Sequence, residues 1–189
     1  MSKSILLVGT YARVGLTSAA LGLYHALDRK GVKTGFFKPV MQYAEGQQSD
    51  VSYDLMAKYC RGNAEPLSPE TVQEALDSHS LDELMEELLR RYEDARGDAD
   101  VVILEGLLES SAVPYAAQVN QAVARALNAE VIIVSSADVE SASRLDNQIA
   151  FVAEQFGGFN GRQLLGAIIN HVEGKGLSRV QVEGLTCFK

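Results

Sequence analysis

Short, mostly apolar runs recur along the chain and are separated by segments long enough to form helices. Apolar runs of four or five residues are typical of strands that are buried on both faces of a parallel sheet. Helix-length connections between parallel strands are right-handed crossovers, which cover the sheet with helices. The pattern therefore predicts an α/β fold in three layers, a parallel sheet with helices on both faces. The predicted strands are residues 5–8, 34–38, 101–104, 131–134 and 165–169.

Helix start signals and apolar stripes predict where the helices lie between these strands. Ser80 and Glu83 have the spacing of a capping box, and an apolar stripe follows them. Ser68 followed by Pro69 predicts another helix start. One more strand candidate lies near the end of the chain, at residues 179–182. The remaining predicted helices cover about residues 20–27, 51–59, 115–127 and 140–156.

Length, charge and cysteine content limit the classes of protein to which the chain can belong. The 189 residues fit one domain, 1–189, without a linker or repeat inside it. A net charge of −8 argues against a nucleic acid or an anionic membrane as partner. Two distant cysteines without a CxxC spacing argue against a zinc site or a disulfide scaffold. With no apolar run of about 20 residues and no signal peptide, we expect a cytoplasmic protein.

The segment from Gly9 to Ser18 lies directly between the first predicted strand and the first predicted helix. In this context glycines let backbone N–H groups wrap around a phosphate in front of a helix N-terminus. Thr17 stands where a hydroxyl would contact a nucleotide-bound Mg²⁺ ion. The preceding position, normally lysine, is Leu16, and five residues instead of four separate Gly9 from Gly15. The segment therefore predicts a degenerate phosphate-binding loop.

Loss of the lysine should affect binding less than turnover. A charge-assisted hydrogen bond contributes about 1.5–3 kcal/mol, so an anion could still bind. Phosphoryl transfer depends more strongly on that charge, so we predict no catalytic residue here. Arg13 is either a replacement cation or an exposed, solvated side chain, and the two glycines could instead serve only a tight turn. The predicted ligand contacts in the loop are Gly9, Thr10, Arg13, Val14, Gly15, Leu16, Thr17 and Ser18.

Two sets of motifs in the chain match known families. The first set is the loop from Gly9 to Ser18 followed by Phe36-Phe-Lys38-Pro39-Val40, Ser49-Asp50, Glu105-Gly106 and Asn170. With these motifs the chain resembles dethiobiotin synthetase and its relatives, a group of P-loop NTPase fold. The second set is the Gly-Leu-Thr-Ser end of the loop and residues 27–33, 102–107, 127–130 and 156–158. Together these motifs are similar to the N-terminal domain of long bacterial phosphate acetyltransferases.

The resemblance implies a set of site residues outside the loop. It implies that Thr17, Asp50 and Glu105 hold Mg²⁺ around ATP or ADP, and this donor set suits a hard cation. It also implies that Lys38 faces substrate and phosphate and that Asn170 reads the adenine. Each residue has a structural alternative: Asp50 as a helix N-cap, Glu105 as a solvated strand end, Asn170 in a turn and Lys38 solvated at the sheet edge. All four residues outside the loop lie at or beyond strand ends, where open parallel sheets bind ligands.

The resemblance also implies three functions that the residues leave open. The first is a non-catalytic regulatory domain that binds a nucleotide or small anionic metabolite. Such a domain would be the N-terminal part of a longer, homodimeric protein whose separate catalytic domain converts acetyl-CoA and phosphate to acetyl phosphate and CoA. The second is an ATP-dependent ligase of the dethiobiotin synthetase or cobyrinic acid a,c-diamide synthase type. The third is an assembly domain with an empty pocket.

Overall fold

Strands and helices alternate along the chain in the computed structural model, which describes residues 2–43, 49–62, 64–172 and 176–188. The strands are β1 (Lys3–Gly9), β2 (Thr34–Phe37), β3 (Val101–Glu105), β4 (Glu130–Ser136) and β5 (Leu164–Asn170). The helices are α1 (Leu16–Asp28), α2 (Val51–Tyr59), α3 (Pro69–Asp77), α4 (Leu81–Arg96), α5 (Ala116–Ala126), α6 (Ala142–Glu154) and α7 (Arg179–Glu183). A 3₁₀ turn covers Thr186–Phe188.

The strands form one sheet in the order β2-β3-β1-β4-β5, and all four strand pairs are parallel. In the centre, Leu7 is in register with Glu105 of β3, and Gly9 is in register with Val134 of β4. The predicted parallel sheet is thus confirmed. Because every strand runs the same way, all the carboxyl ends meet at one edge, and that edge carries the predicted site residues.

Alternate residues of the strands pack into two apolar clusters, one on each face of the sheet. Leu6 belongs to the cluster that includes buried residues of α4, α5 and α6. Leu7 belongs to the other cluster, which includes buried residues of α1 and α2. This alternation follows from the two-residue period of a strand. Helices therefore lie on both faces, and the predicted three-layer architecture is confirmed.

Near the end of the chain the structure contradicts one predicted strand. The prediction at residues 179–182 is wrong, because Arg179–Glu183 is the short helix α7. The helix starts at Ser178, whose backbone N–H donates to the side-chain oxygen of Gln181 at 3.0 Å. This capping pair stabilises a helical turn. Val182 of this helix is buried against the core.

The predicted capping box at the start of α4 is also wrong, although the helix starts where the sequence predicts. Ser80 is the N-cap residue but makes no side-chain cap. Its hydroxyl is instead 2.6 Å from the Ser78 hydroxyl at the end of α3. The Ser80 hydroxyl therefore bonds within the turn between α3 and α4 and does not cap α4. The predicted apolar stripe is present, since Leu84, Leu88 and Tyr92 are buried.

The two cysteines are not joined in a disulfide, and each is half-buried. Among the described residues, no helix combines the length and the hydropathy that a membrane crossing requires.

Candidate functional site

The loop between β1 and α1 is fixed at its first residue to the neighbouring strand. The backbone N–H of Thr10 donates to the Val134 carbonyl of β4 at 3.0 Å. Its hydroxyl is 2.8 Å from the Ser135 hydroxyl. Further along the loop, Arg13 is exposed and has a φ of 65°. These observations favour the solvated interpretation of Arg13.

Gly15 ends the loop as the N-cap residue of α1. Its φ of 82° lies in the left-handed region that favours glycine. No side chain caps this helix, and no N–H from Gly15 to Ser18 donates a hydrogen bond to a described residue. By contrast, α2, α3 and α6 start at side chains that accept hydrogen bonds from first-turn amides. The start of α1 therefore presents open donors and the positive end of the helix dipole at the carboxyl edge of the sheet.

Beneath the loop, two of its side chains point into the core. Val14 has no exposed surface and Leu16 is 4% exposed. Both belong to the apolar cluster that contains Tyr24, Phe36 and Met56. The residue that replaces the expected lysine thus packs under the loop instead of lying beside a bound phosphate.

Asn170, the last residue of β5, contacts the loop directly. Its amide nitrogen donates to the Val14 carbonyl at 2.7 Å and lies 3.5 Å from the Gly15 carbonyl. A Cβ atom on Gly15 would come within 2.7 Å of that nitrogen. Asn170 therefore braces the loop in the present structure, and its role in reading adenine stays a prediction.

Lys38, Asp50 and Glu105 come together in a buried cluster, the Lys38 cluster, which also includes Ser52. The Lys38 ammonium lies 3.0 Å from an Asp50 carboxylate oxygen and 2.8 Å from Glu105 Oε1. It also donates to the Ser52 hydroxyl. The side chains of all three charged residues are at most 4% exposed. The solvated alternatives for Lys38 and Glu105 are therefore contradicted.

Asp50 also has the structural role that its sequence position suggested, as the N-cap of α2. Its Oδ1 accepts from the backbone N–H groups of Ser52 and Tyr53 at 3.0 and 3.1 Å. Its Oδ2 accepts from the Gln42 N–H at 2.8 Å. Burial alone would raise the pKa of Asp50, but the Lys38 ammonium and these hydrogen bonds outweigh it and lower that pKa. The carboxylate is thus held ionised, with both oxygens engaged.

The three predicted metal ligands, Thr17, Asp50 and Glu105, do not all have oxygen atoms that are available to an ion. Glu105 Oε2 is buried and has no hydrogen-bond partner among the described residues. Thr17 is half-buried in the first turn of α1, and its hydroxyl bonds no described residue. Both oxygens of Asp50 are already engaged. Because the Lys38 ammonium occupies the point that both carboxylates face, this arrangement does not fit Mg²⁺, and the metal site stays a prediction.

Two residues of the site were missed by the sequence analysis. Gln42 donates to the Leu108 carbonyl at 2.5 Å and accepts from the Leu108 N–H at 2.9 Å. No local pattern could predict this pair, because 66 residues separate the partners. Ser52 did carry a signal, since a hydroxyl two residues after an N-cap aspartate lies close to that carboxylate.

Next to the loop, a groove of about 510 Å³ starts at Thr10 and follows α6. Arg144 and Asn147 line it, as does Phe151, whose side chain is 67% exposed.

Comparisons with known proteins agree with this fold. A phosphate acetyltransferase of Pseudomonas aeruginosa is 40% identical over 177 residues, which cover 93% of this chain and 25% of that protein. The phosphate acetyltransferase of Escherichia coli is 35% identical over 176 residues, which cover 90% of this chain and 24% of that protein. The chain thus spans about a quarter of the length of these relatives, and the matched part is their N-terminal quarter.

Solved structures show the same fold at low sequence identity. The septum site-determining protein MinD complexed with Mg-ADP, from Pyrococcus horikoshii, has a TM-score of 0.53 and 15% identity over 97% of this chain and 76% of its own. Cobyrinic acid a,c-diamide synthase from Mycobacterium smegmatis, with bound ATP analog and magnesium, has a TM-score of 0.50 and 16% identity, covering 89% and 72%.

Identities this low compare the fold alone, and they place the chain among α/β proteins of the P-loop type. The family model described as "AAA domain" matches residues 3–186, almost the whole chain. The chain therefore belongs to this AAA domain family, as a P-loop domain of the kind found in the N-terminal quarter of bacterial phosphate acetyltransferases.

Proposed function

We propose that this chain is a regulatory domain that binds a small phosphate-bearing anion at the loop and does not turn it over. The observation that carries the proposal is the uncapped start of α1, where the N–H groups of residues 15–18 face no acceptor among the described residues. Four such donors and the helix dipole suit a phosphate group without any charged side chain. A nucleotide such as ADP or ATP is one ligand of this kind, since the groove beside Thr10 could hold the rest of the molecule.

The surroundings of positions 16 and 38 support binding without turnover. Leu16 replaces the loop lysine and is buried in the core. Lys38 donates to Asp50, Glu105 and Ser52. Neither position can therefore neutralise the charge that phosphoryl transfer develops.

The similarity to phosphate acetyltransferases supports the place of this domain in a larger protein. The relatives are about four times as long, and their matched part is the N-terminal quarter. We infer that acetyl transfer between CoA and phosphate belongs to another part of such a protein. This domain would then adjust that activity when its ligand binds.

Calorimetric titration of the 189-residue chain with ATP, ADP and inorganic phosphate tests the proposal. We expect at least one of them to bind, and Gly15→Ala to weaken binding about tenfold, equivalent to about 1.4 kcal/mol. The added Cβ would strain a residue with a φ of 82° and meet Asn170. Gly22→Ala is the matched control, since its Cβ would have no neighbour within 4 Å.

Two outcomes would contradict the proposal in different ways. Phosphate release from ATP at about 1 s⁻¹ or faster would favour the ligase alternative, because this rate is the low end of typical enzymes. No binding of any of the three anions would favour the assembly domain instead.

A further inference from the structure

The two predicted metal ligands outside the loop face the same point, and an ammonium group occupies that point. Asp50 comes from the start of α2 and Glu105 from the end of β3. Their carboxylates lie 3.0 and 2.8 Å from the same Nζ atom of Lys38. A cation between these two side chains is therefore already supplied by the chain.

The hydrogen bonds of the Lys38 cluster leave few free donors or acceptors. An ammonium group has three donors, and Asp50, Glu105 and Ser52 accept from Lys38. Of the four carboxylate oxygens, only Glu105 Oε2 lacks a partner among the described residues. Mg²⁺ in proteins is held by one or two carboxylates together with waters and substrate phosphates. Here both carboxylates are already engaged by the Lys38 ammonium.

A divalent cation could enter only if Lys38 left the cluster. Lys38, Asp50 and Glu105 are each 4% exposed, so all three charges are desolvated. Moving the ammonium away would separate buried charges that now compensate one another, which is strongly unfavourable. The metal would therefore have to compete with a tethered cation that is already in place.

We propose that the Lys38 ammonium takes the place of the divalent cation in this chain, so that the anion at the loop binds without Mg²⁺. The first half of this proposal, that Lys38 replaces the cation, stands on the geometry of the Lys38 cluster alone. The second half, that the anion binds without Mg²⁺, rests on the proposed function. With neither a loop lysine nor a metal ion, the ligand's charge is met mainly by backbone amides. The site then suits an anion with one or two phosphate groups better than a metal-chelated triphosphate.

Electron paramagnetic resonance of Mn²⁺, a magnetic substitute for Mg²⁺, tests the first half on the 189-residue chain. We expect no stoichiometric binding to the wild-type chain and a gain of about tenfold or more in Lys38→Met, because carboxylate charge tunes the affinity of oxygen sites. Lys33→Met is the matched control, since Lys33 is an exposed lysine that pairs with Asp98. The double variant Lys38→Met/Glu105→Gln should lose the gain.

One Mn²⁺ bound as tightly by the wild-type chain as by Lys38→Met would overturn the proposal. If circular dichroism shows that Lys38→Met does not fold, the wild-type titration still decides, since stoichiometric Mn²⁺ binding contradicts the proposal and its absence supports it.

The second half is tested by titrating the wild-type chain with ADP in EDTA and again in Mg²⁺. We expect the two affinities for ADP to agree within about twofold. Binding that is about tenfold tighter in Mg²⁺ would overturn the second half of the proposal, because a tenfold change in affinity corresponds to about 1.4 kcal/mol contributed by the metal. No ADP binding in either buffer, with none for inorganic phosphate, would refute the proposed function and leave the Mn²⁺ comparison intact.

Discussion

Leu16 is the residue at which the loop departs from a lysine-bearing phosphate loop, and its side chain is 4% exposed. It packs in the cluster that contains Val14, Tyr24 and Phe36. Where a lysine-bearing loop has a charged side chain, this chain therefore has an apolar side chain that packs in the core.

Restoring lysine at this position should therefore destabilise the fold. We expect Leu16→Lys to lower the free energy of unfolding by about 2–4 kcal/mol, because an ammonium would enter an apolar cluster and leucine packing would be lost. Urea denaturation measures the effect, with Ser18→Lys as control at an exposed position of the same helix. An unfolding midpoint equal to that of the control would show that the new side chain reaches water without disturbing the core.

At the scale of elements, helix α2 runs from the Lys38 cluster to a half-buried cysteine. It starts at Asp50, in the Lys38 cluster, and ends at Cys60, the C-cap residue. Cys60 is half-buried, and burial, aided by the charge of Asp28, raises the pKa of its thiol to about 12. The folded chain therefore favours the neutral thiol more strongly than the unfolded chain, whose cysteines titrate near 8.5.

This shift predicts how stability depends on alkaline pH. A raised folded pKa contributes stability that is fully present below about pH 8.5 and is lost as the pH rises through the folded value. Between pH 7.5 and 9.5, we expect the wild-type chain to lose at most about 1.4 kcal/mol through this thiol. Urea denaturation at both pH values should show that the free energy of unfolding of Cys60→Ser falls less between them than that of the wild-type chain. An identical loss in that variant would mean that Cys60 does not titrate differently on unfolding.

At the scale of the whole molecule, an exposed aromatic side chain stands beside the loop. Phe151 of α6 is 67% exposed and lines the groove that starts at Thr10. We propose that the predicted homodimer covers this exposed side chain.

Light scattering should then give twice the chain mass of 20.4 kDa for the wild-type chain. Phe151→Ser should shift the mass toward the monomer, because a large apolar side chain at an interface contributes much of its binding energy. Val180→Ser is the control, since Val180 is 79% exposed on α7, away from the loop in sequence. A wild-type chain that stays monomeric at high concentration would contradict the prediction.

Much of the fold could be predicted because its signals are local. The apolar runs of β1, β3 and β4 read directly as buried strands, and the loop between β1 and α1 follows from its glycines and its position. The errors arose where two local signals competed. Ser80 bonds the Ser78 hydroxyl instead of capping α4, and residues 179–182 form a helix because a capping residue precedes them.

The sequence by itself determined the α/β alternation, the place of the phosphate loop and the loss of its lysine, since these depend on periodicity and residue identity. Only the tertiary structure decided what the site residues contact. Lys38 and Glu105 are 67 residues apart, and Asn170 and Val14 are 156 apart, so no local pattern specifies either pair. Both pairs form because parallel strands bring their carboxyl ends to one edge of the sheet. There the buried charges of Lys38 and Glu105 compensate each other, and the Asn170 amide reaches the loop.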